Sequence, residues 1–162
     1  MEKDKIKKGE RLDRWAADKY QICMYRIDHE YHSYREIKQG TIYTCDFGEN
    51  IGYEQGRPLQ GKIRPALVVS NNVHNKRSAT VVVVPLSTKF KLIFKNDVQM
   101  PKMKSHYLLY KQNYPFLGDD SVVKTEKIRE VDKVRLIAEM GNISDTDLHR
   151  ILKKLEWLTK PI

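Results

Sequence analysis

The chain has 162 residues, with 30 Lys and Arg against 21 Asp and Glu, and a formal net charge of +9. That length suits one domain with a real core and little room for a second. No apolar run approaches the roughly 18 residues of a membrane span, and the charged start lacks the apolar segment of a signal peptide. Two cysteines, Cys23 and Cys45, cannot form a disulfide framework, so we expect reduced thiols and a cytoplasmic protein without membrane contact.

The charge is concentrated in the middle of the chain. Residues 57–104 contain ten basic side chains and one acid, Asp97, whereas the charges of the other segments nearly cancel. A set of solvated lysines is one interpretation of this segment. Because its charges fall in several loops separated by strand patterns, they can converge on one face, which favours a polyanion site.

Residues 1–38 are predicted to form an N-terminal helical segment. Apolar side chains recur there at spacings of three and four residues, with no proline to interrupt them. Gly40 then marks the change to a strand pattern. The predicted apolar stripe consists of Leu12, Ala16, Tyr20, Cys23, Ile27, Tyr31 and Tyr34.

Short strands and one terminal helix are predicted for the remainder. Pro85 is expected to end the longest strand, and Ser144 with Asp147 resembles a capping box that starts the terminal helix. This pattern predicts a mainly β fold of the α+β class, with a small, strongly bent sheet or barrel. The predicted strands cover residues 41–47, 66–69, 79–84, 106–110 and 121–123.

Motifs for metal or nucleotide binding are absent from the sequence. None of the five histidines has a partner at a diagnostic zinc spacing, and neither Gly-rich phosphate loop occurs. We therefore expect no metal and no cofactor.

A set of short motifs in a fixed order is more specific. It runs through Gly40-Thr41-Ile42-Tyr43, Asp46-Phe47-Gly48, Gly52-Tyr53-Glu54-Gln55-Gly56, Ile63-Arg64-Pro65-Ala66, Val84-Pro85-Leu86-Ser87-Thr88, Asp120-Ser121-Val122-Val123 and Ile128-Arg129-Glu130-Val131-Asp132-Lys133-Val134-Arg135-Leu136. Over roughly residues 39–158, this order resembles the MazF/PemK family of toxin endoribonucleases from bacterial toxin–antitoxin systems.

The resemblance implies a small SH3-like barrel of the CcdB/PemK type over residues 39–162, with residues 1–38 as an added N-terminal extension. It also implies a homodimer that cuts single-stranded RNA, often mRNA, without metal, at short sequence motifs. The products would carry 2′,3′-cyclic phosphate and 5′-hydroxyl ends, and a cognate antitoxin would block the RNA groove. A bacterial, plasmid or phage origin is consistent with such a system.

By motif position, Arg64 falls on the family's catalytic arginine and Ser87, with Thr88 beside it, on the usual catalytic threonine. A planar guanidinium suits the stabilisation of a phosphorane and proton donation, and it is a poor base. For Arg64, a positioning contact to a phosphate or a salt bridge to Glu54 stays open. For the two hydroxyls, a local bond to the strand-end backbone is equally open.

Substrate contacts are expected from a loop and from the basic segment. Glu54 and Gln55 begin a loop that covers the RNA groove in the resembled family, and the basic candidates are Lys62, Lys76, Lys89 and Lys91. Aromatic residues at 107, 110, 114 and 116 would either stack bases or pack in the core. Three residues of the later motif, Arg129, Asp132 and Arg135, are expected to form structural ion pairs near the dimer interface.

Departures from the family pattern leave alternatives open. Residues 57–60 lengthen the loop, Ser87 replaces threonine, and the helical extension has no counterpart in compact members. The apolar face of that extension must be buried on the barrel, across the dimer or against an antitoxin, and we favour the dimer.

Two competing functions stay open. One is a non-catalytic module that binds nucleic acid or, like CcdB, a topoisomerase. The other is a structural interaction domain.

Overall fold

The computed structural model describes residues 2–30, 35–50 and 63–161. The helices are α1 (Glu2–Asp28), α2 (Asn72–Arg77) and α3 (Asp145–Thr159). The strands are β1 (Thr41–Cys45), β2 (Arg64–Val68), β3 (Thr80–Ser87), β4 (Leu92–Lys95), β5 (Val98–Pro101), β6 (His106–Leu109), β7 (Ser121–Lys124), β8 (Arg129–Asp132) and β9 (Leu136–Asn142).

Seven of these strands form one antiparallel sheet, in the order β6-β7-β3-β2-β1-β9, with β8 also paired to β3. The central residues of β2 and β3 are apolar because both faces of the sheet are covered there, whereas Arg64, Thr80 and Ser87 lie at the strand ends. Val68 and Val83 contribute to a cluster on one face, while Leu67 and Val84 contribute to a cluster on the other. Strands β4 and β5 form a separate two-stranded hairpin.

The mainly β, α+β class and both terminal helices are confirmed. The seven-stranded sheet is not closed into a barrel, since its path ends at β6 on one side and β9 on the other. Division into an extension at 1–38 and a domain at 39–162 stays a prediction.

Pro85 does not end β3, contrary to the sequence prediction. The strand continues through it to Ser87. On one edge, β3 pairs with β8 over Thr80–Val83 and then with β7 at Leu86 and Ser87. Pro85 lies at this change of partner, where the missing proline N–H interrupts no ladder on that edge.

Helix α1 is confirmed as a helix, but it ends at Asp28, residues 35–38 are not helical, and the face predicted to be buried is exposed. Leu12, Tyr20 and Ile27 are all exposed, with Ile27 at 69%. Tyr31 and Tyr34 lie outside the described residues. The face that contacts the sheet domain is largely polar and consists of Lys8, Arg11, Trp15, Asp18, Ile22 and Arg26.

Ion pairs and an aromatic ring hold that polar face. The Glu49 carboxylate accepts hydrogen bonds from Lys8 Nζ at 2.7 Å and from Arg11 Nη2 at 2.6 Å. The Trp15 ring lies directly against Gly48, which has a φ of +69° and leaves no room for a Cβ atom. Arg26 Nε is 3.3 Å from Asp132 Oδ2 near the other end of the helix. Ion pairs and one aromatic contact thus determine which face of α1 docks.

Helix α3 begins as predicted. The Ser144 hydroxyl caps it by accepting a hydrogen bond from the Asp147 N–H at 3.2 Å. Ile151 is fully buried among the residues of the second core cluster, so α3 covers that face of the sheet.

Candidate active site

Arg64 and Ser87 lie side by side at one end of the sheet. The β2–β3 register pairs Ala66 with Pro85, and its continuation by two residues places Arg64 opposite Ser87. Directly opposed residues in an antiparallel pair point to the same face. Arg64 Nη1 also donates to the Leu86 carbonyl oxygen at 3.5 Å. The structure therefore brings together the two residues that the motif singled out.

The same face continues across two more strands. Because Leu86 pairs with Val123, the register places Lys124 opposite Pro85, and Lys124 is itself paired with His106 on β6. His106 Nε2 lies 3.1 Å from Glu126 Oε1. A row of polar groups thus runs from Arg64 and Ser87 through Lys124 to the His106–Glu126 pair.

Burial and neighbouring charge perturb these groups. Burial lowers the pKa of the Arg64 guanidinium. The pKa of Lys124 is lowered by burial and then by the nearby charge of Arg64, and Glu126 opposes this shift. Two neighbouring cations in one partly desolvated site are typical of a binding site for an anion.

The Glu126 carboxylate is held in its charged form. Burial alone would raise its pKa, but hydrogen bonds from its own backbone N–H, Ser105 and His106 outweigh burial and lower the pKa. Its second oxygen, Oε2, is buried and has no hydrogen-bond partner within the described residues. An ionised carboxylate in this position orients the His106 ring.

Cys45 lies directly opposite Arg64 on the other neighbouring strand. Burial raises the pKa of its thiol to about 12, despite the opposing charge of Arg135. The thiol is therefore protonated at neutral pH and is not a nucleophile in this site.

The other predicted site residues do not all lie near Arg64. Ser87 is buried, and its Oγ accepts the Lys89 N–H at 3.1 Å, which is the local backbone bond that the sequence left open. Thr88, Lys89 and Lys91 follow it and are exposed. Lys76 is on α2, which connects the opposite ends of β2 and β3, so it is not brought to Arg64. Glu54, Gln55 and Lys62 lie outside the described residues.

Two further sequence predictions can be compared with the geometry. Asp132 forms an ion pair with Arg26, and Arg135 Nη1 donates to the Asp46 carbonyl oxygen at 3.1 Å, so both residues serve the packing of α1 and β1. The Tyr107 hydroxyl donates to Asp147 Oδ1 at 2.5 Å, and buried Tyr114 also donates to Asp147. Packing against α3 thus accounts for these two tyrosines.

Lys124 and Glu126 were not found by sequence reasoning. Lys124 is the last residue of β7 and Glu126 lies on the turn that follows it, so their neighbours are known only once the β3–β7 register is known. No group of three or more His, Cys, Asp or Glu in the described ranges is arranged to hold a metal ion. In that same part of the chain, no helix is long and apolar enough to cross a membrane.

Comparison with known proteins adds independent information. Residues 38–159 match the family model described as PemK-like, MazF-like toxin of type II toxin–antitoxin system. Endoribonuclease EndoA of Bacillus subtilis (strain 168) is 28% identical over 120 residues, which cover 74% of this chain and 91% of that protein.

Solved structures share the fold. MazF from Deinococcus radiodurans matches with a TM-score of 0.59 and 21% identity, covering 76% of this chain and 96% of that one. An endoribonuclease in complex with its cognate antitoxin, from a mycobacterial species, matches with a TM-score of 0.55 and 21% identity, covering 78% and 98%. The family model begins at residue 38 and so does not include α1.

Proposed function

The chain belongs to the PemK-like, MazF-like toxins of type II toxin–antitoxin systems, and from that membership we propose that it is an endoribonuclease that cuts single-stranded RNA, mRNA included. The proposed reaction is attack of a ribose 2′-hydroxyl on the adjacent phosphorus without a metal. Its products carry a 2′,3′-cyclic phosphate and a 5′-hydroxyl.

The main support for this proposal is that Arg64 and Ser87 are adjacent on a face that also presents Lys124. A phosphodiester bound there meets two cations and a hydroxyl within a partly desolvated site. Electrostatic stabilisation is strongest in such surroundings, because the surrounding dielectric is low and the charges are already in place.

The residues supply what the chemistry requires. As the 2′-oxygen bonds to phosphorus, charge develops on the non-bridging oxygens, and Arg64 and Lys124 neutralise it. His106, oriented by Glu126 at 3.1 Å, takes the proton of the 2′-hydroxyl. The bond from phosphorus to the 5′-oxygen then breaks, and this oxygen receives a proton from Arg64 or through a hydroxyl at Ser87 or Thr88.

Binding contacts outside the reacting centre come from the basic segment. Exposed Lys89 and Lys91 directly follow Ser87 and are placed to contact phosphates next to the cut. The loop with Glu54 and Gln55, together with Lys62, is proposed to cover the RNA. Lys76 has the weakest geometric support because α2 is at the other end of β3.

We extend the proposal to the setting in which the protein works. A cognate antitoxin protein is proposed to inhibit it, and one structural relative was solved in complex with its cognate antitoxin. A homodimer in the bacterial cytoplasm is the proposed working form.

The decisive experiment is cleavage of a long, defined, unstructured RNA in EDTA, with both new ends mapped. We expect cuts at a short motif, with cyclic phosphate and 5′-hydroxyl ends. Arg64→Ala should lower kcat by about 100- to 1000-fold, the usual effect of removing one charge-stabilising donor. Arg77→Ala, on the exposed surface of α2, is the matched control and should cut normally.

Further variants separate the individual roles. Ser87→Ala and Thr88→Ala, compared side by side, show which hydroxyl takes part. His106→Ala should lower kcat without weakening RNA binding, because it removes the proposed proton acceptor. If the wild-type protein binds the RNA but leaves it intact, the enzyme proposal fails and a non-catalytic binding module takes its place.

A further inference from the structure

One side of α3 is basic and carries a partly exposed aromatic ring. Arg150, Lys154 and Trp157 are spaced four and three residues apart, so they lie on the same side of the helix. That side meets β6 and the residues before it. Arg150 Nη1 donates to the Tyr107 hydroxyl at 3.4 Å, and Lys154 Nζ donates to the Lys104 carbonyl oxygen at 2.7 Å. Three cations thus share one surface with the Trp157 indole, which is 45% exposed.

Lys104 holds the indole in place and leaves it accessible. The Lys104 Nζ atom lies 4.1 Å from the centroid of the Trp157 ring, which is a cation–π contact. The indole also borders an open groove of about 470 Å³ that is lined by Leu158, Lys160 and Pro161 as well. A groove of this size, with an aromatic wall and a cation, suits a flat aromatic group such as a nucleobase.

The positive charge on this surface is not balanced. Burial, and after it the charge of Lys104, lowers the pKa of Lys154. Within the described ranges, neither lysine lies at ion-pair distance from a carboxylate. Glu156 is two residues from Lys154, which places it about 200° round the helix, on the other side. Asp147, near the start of the helix, accepts hydrogen bonds from two tyrosines. Adjacent cations without a counter-ion are typical of a binding site for a phosphate.

This surface adjoins the candidate active site. Lys104 precedes His106 by two residues, so their Cα atoms are at most about 7 Å apart. His106 is itself paired with Lys124 across β6 and β7. The turn at Thr125–Lys127, which follows Lys124, packs against α3. Because β6 is an edge strand of the sheet, an RNA strand whose cut phosphate lies beside Lys124 can pass His106 and reach Lys104 round that edge.

We propose that Lys104, Lys154 and Trp157, here called the Trp157 site, form a second contact site for the substrate strand, in which an unpaired base stacks on the indole and the two lysines bind the adjoining phosphate. This inference rests on the proposed function, since it takes single-stranded RNA as the ligand. Proteins that bind single strands combine aromatic platforms with a basic track in this way. Continuity with the active face favours the substrate strand over a separate acidic partner as the occupant.

The test is an abasic scan of the RNA strand against Trp157→Ala. A 2′-O-methyl version of the strand, which cannot be cut through its 2′-oxygen, is made with one abasic position at a time, and binding is measured by fluorescence anisotropy. We expect Trp157→Ala to weaken binding of the intact strand by about 5- to 150-fold, the range for loss of one stacked base. One abasic position should cost the wild type the same factor and cost the variant nothing.

Two further variants at Trp157 separate stacking from packing. Trp157→Phe keeps an aromatic ring and should retain most of the binding. Trp157→Leu keeps apolar bulk without an aromatic ring and should lose about as much affinity as Trp157→Ala. Wild-type affinity in Trp157→Leu would show that the side chain packs but does not stack.

The contribution of the two lysines is measured by salt dependence. Lys104→Gln combined with Lys154→Gln should lower the slope of log affinity against log salt by up to about 1.4, because each single-strand phosphate contact contributes about 0.7. The charge-matched control combines Lys19→Gln with Arg77→Gln, on exposed surfaces of α1 and α2, and should leave the slope unchanged.

Several results would overturn the inference. Wild-type binding by Trp157→Ala would do so, as would equal salt slopes in the two double variants. Weakened antitoxin binding by Trp157→Ala with unchanged RNA binding would make this surface a protein-docking site instead. Binding of the uncuttable strand is measured without turnover, so absence of cleavage would refute the proposed enzyme and leave this test valid. Normal cleavage with unchanged binding by Trp157→Ala would refute only the second contact site.

Discussion

The attachment of α1 to the sheet domain depends on one buried carboxylate, and its removal should release the helix. The Glu49 side chain is only 4% exposed and accepts hydrogen bonds from Lys8 Nζ at 2.7 Å, Arg11 Nε at 3.0 Å and Arg11 Nη2 at 2.6 Å. We expect Glu49→Gln to weaken α1 docking, because the amide keeps the shape but loses the charge.

The magnitude follows from the exposure of the partners. Loss of one member of a fully buried ion pair costs about 3 to 5 kcal/mol. Here the Lys8 and Arg11 side chains are 40% and 28% exposed, so water can replace the lost partner. We therefore expect about 1.5 to 3 kcal/mol, the range for hydrogen bonds to charged groups.

Trp15 provides the assay. Its ring contacts Gly48 and lies 5.4 Å from the Arg135 guanidinium, so its fluorescence reports docking of α1. Trp157 is replaced by Phe to isolate the signal, and urea titrations then compare Glu49→Gln with the parent. Glu36→Gln is the matched control because the Glu36–Lys38 pair is exposed and 3.9 Å long, and it should change the free energy by less than about 0.5 kcal/mol.

The pH dependence gives a second measurement. Burial tends to raise the pKa of Glu49, but hydrogen bonds and charge from Lys8 and Arg11 outweigh it and lower the pKa. This contribution to stability is complete above the unfolded-state pKa and is lost as the pH falls through the folded-state pKa. Acid should therefore release α1 from the wild type. If Glu49→Gln and Glu36→Gln give the same urea and acid titrations, the ion pairs do not hold the helix.

Two further predictions concern backbone geometry and thiol reactivity. Gly48→Ala should destabilise the protein by about 2 to 4 kcal/mol, since the left-handed backbone and the Trp15 ring both oppose a Cβ atom. Gly9 lies on α1 with open space around it, so Gly9→Ala should stabilise the protein by about 0.5 to 1 kcal/mol. Thermal unfolding measures both changes. At pH 8, a thiol reagent should label exposed Cys23 in the folded protein and reach Cys45 only after unfolding; fast labelling of both thiols would contradict the burial described for Cys45.

Much of the fold follows from local patterns in the sequence. The apolar runs that became β2 and β3 are buried on both faces, and the Ser144 cap of α3 needs only residues three apart. Arg64 and Ser87 were also predictable, because the ordered motifs place them. Such signals are local, or are carried by the family pattern.

The docking face of α1 was not predictable from periodicity. Hydrophobic spacing gives the exposed stripe that includes Leu12 and Ile27, while the actual contact uses Lys8 and Arg11 against Glu49. An ion pair between residues about 40 positions apart leaves no periodic trace in the sequence. Which face of such a helix packs therefore depends on the complementary groups that the rest of the fold presents to it.

Lys124 and the Trp157 site were missed for a related reason. The role of Lys124 depends on which residue of β3 it meets, and register between distant strands is set by the folded sheet. Lys104 and Lys154 meet although they are 50 positions apart, and neither belongs to a motif. The position of Lys104 over the Trp157 ring is visible only in three dimensions.

The change of partner along β3 has a consequence for synthesis of the protein. Arg64 and Ser87 are both present once β3 has been made, but Lys124 arrives 37 residues after Ser87. At about 5 to 20 residues per second, this takes roughly 2 to 7 s. Pairing of β1 with β9 must wait longer still, since its partners are about 95 positions apart. The candidate active face therefore cannot be assembled until β7 has been translated.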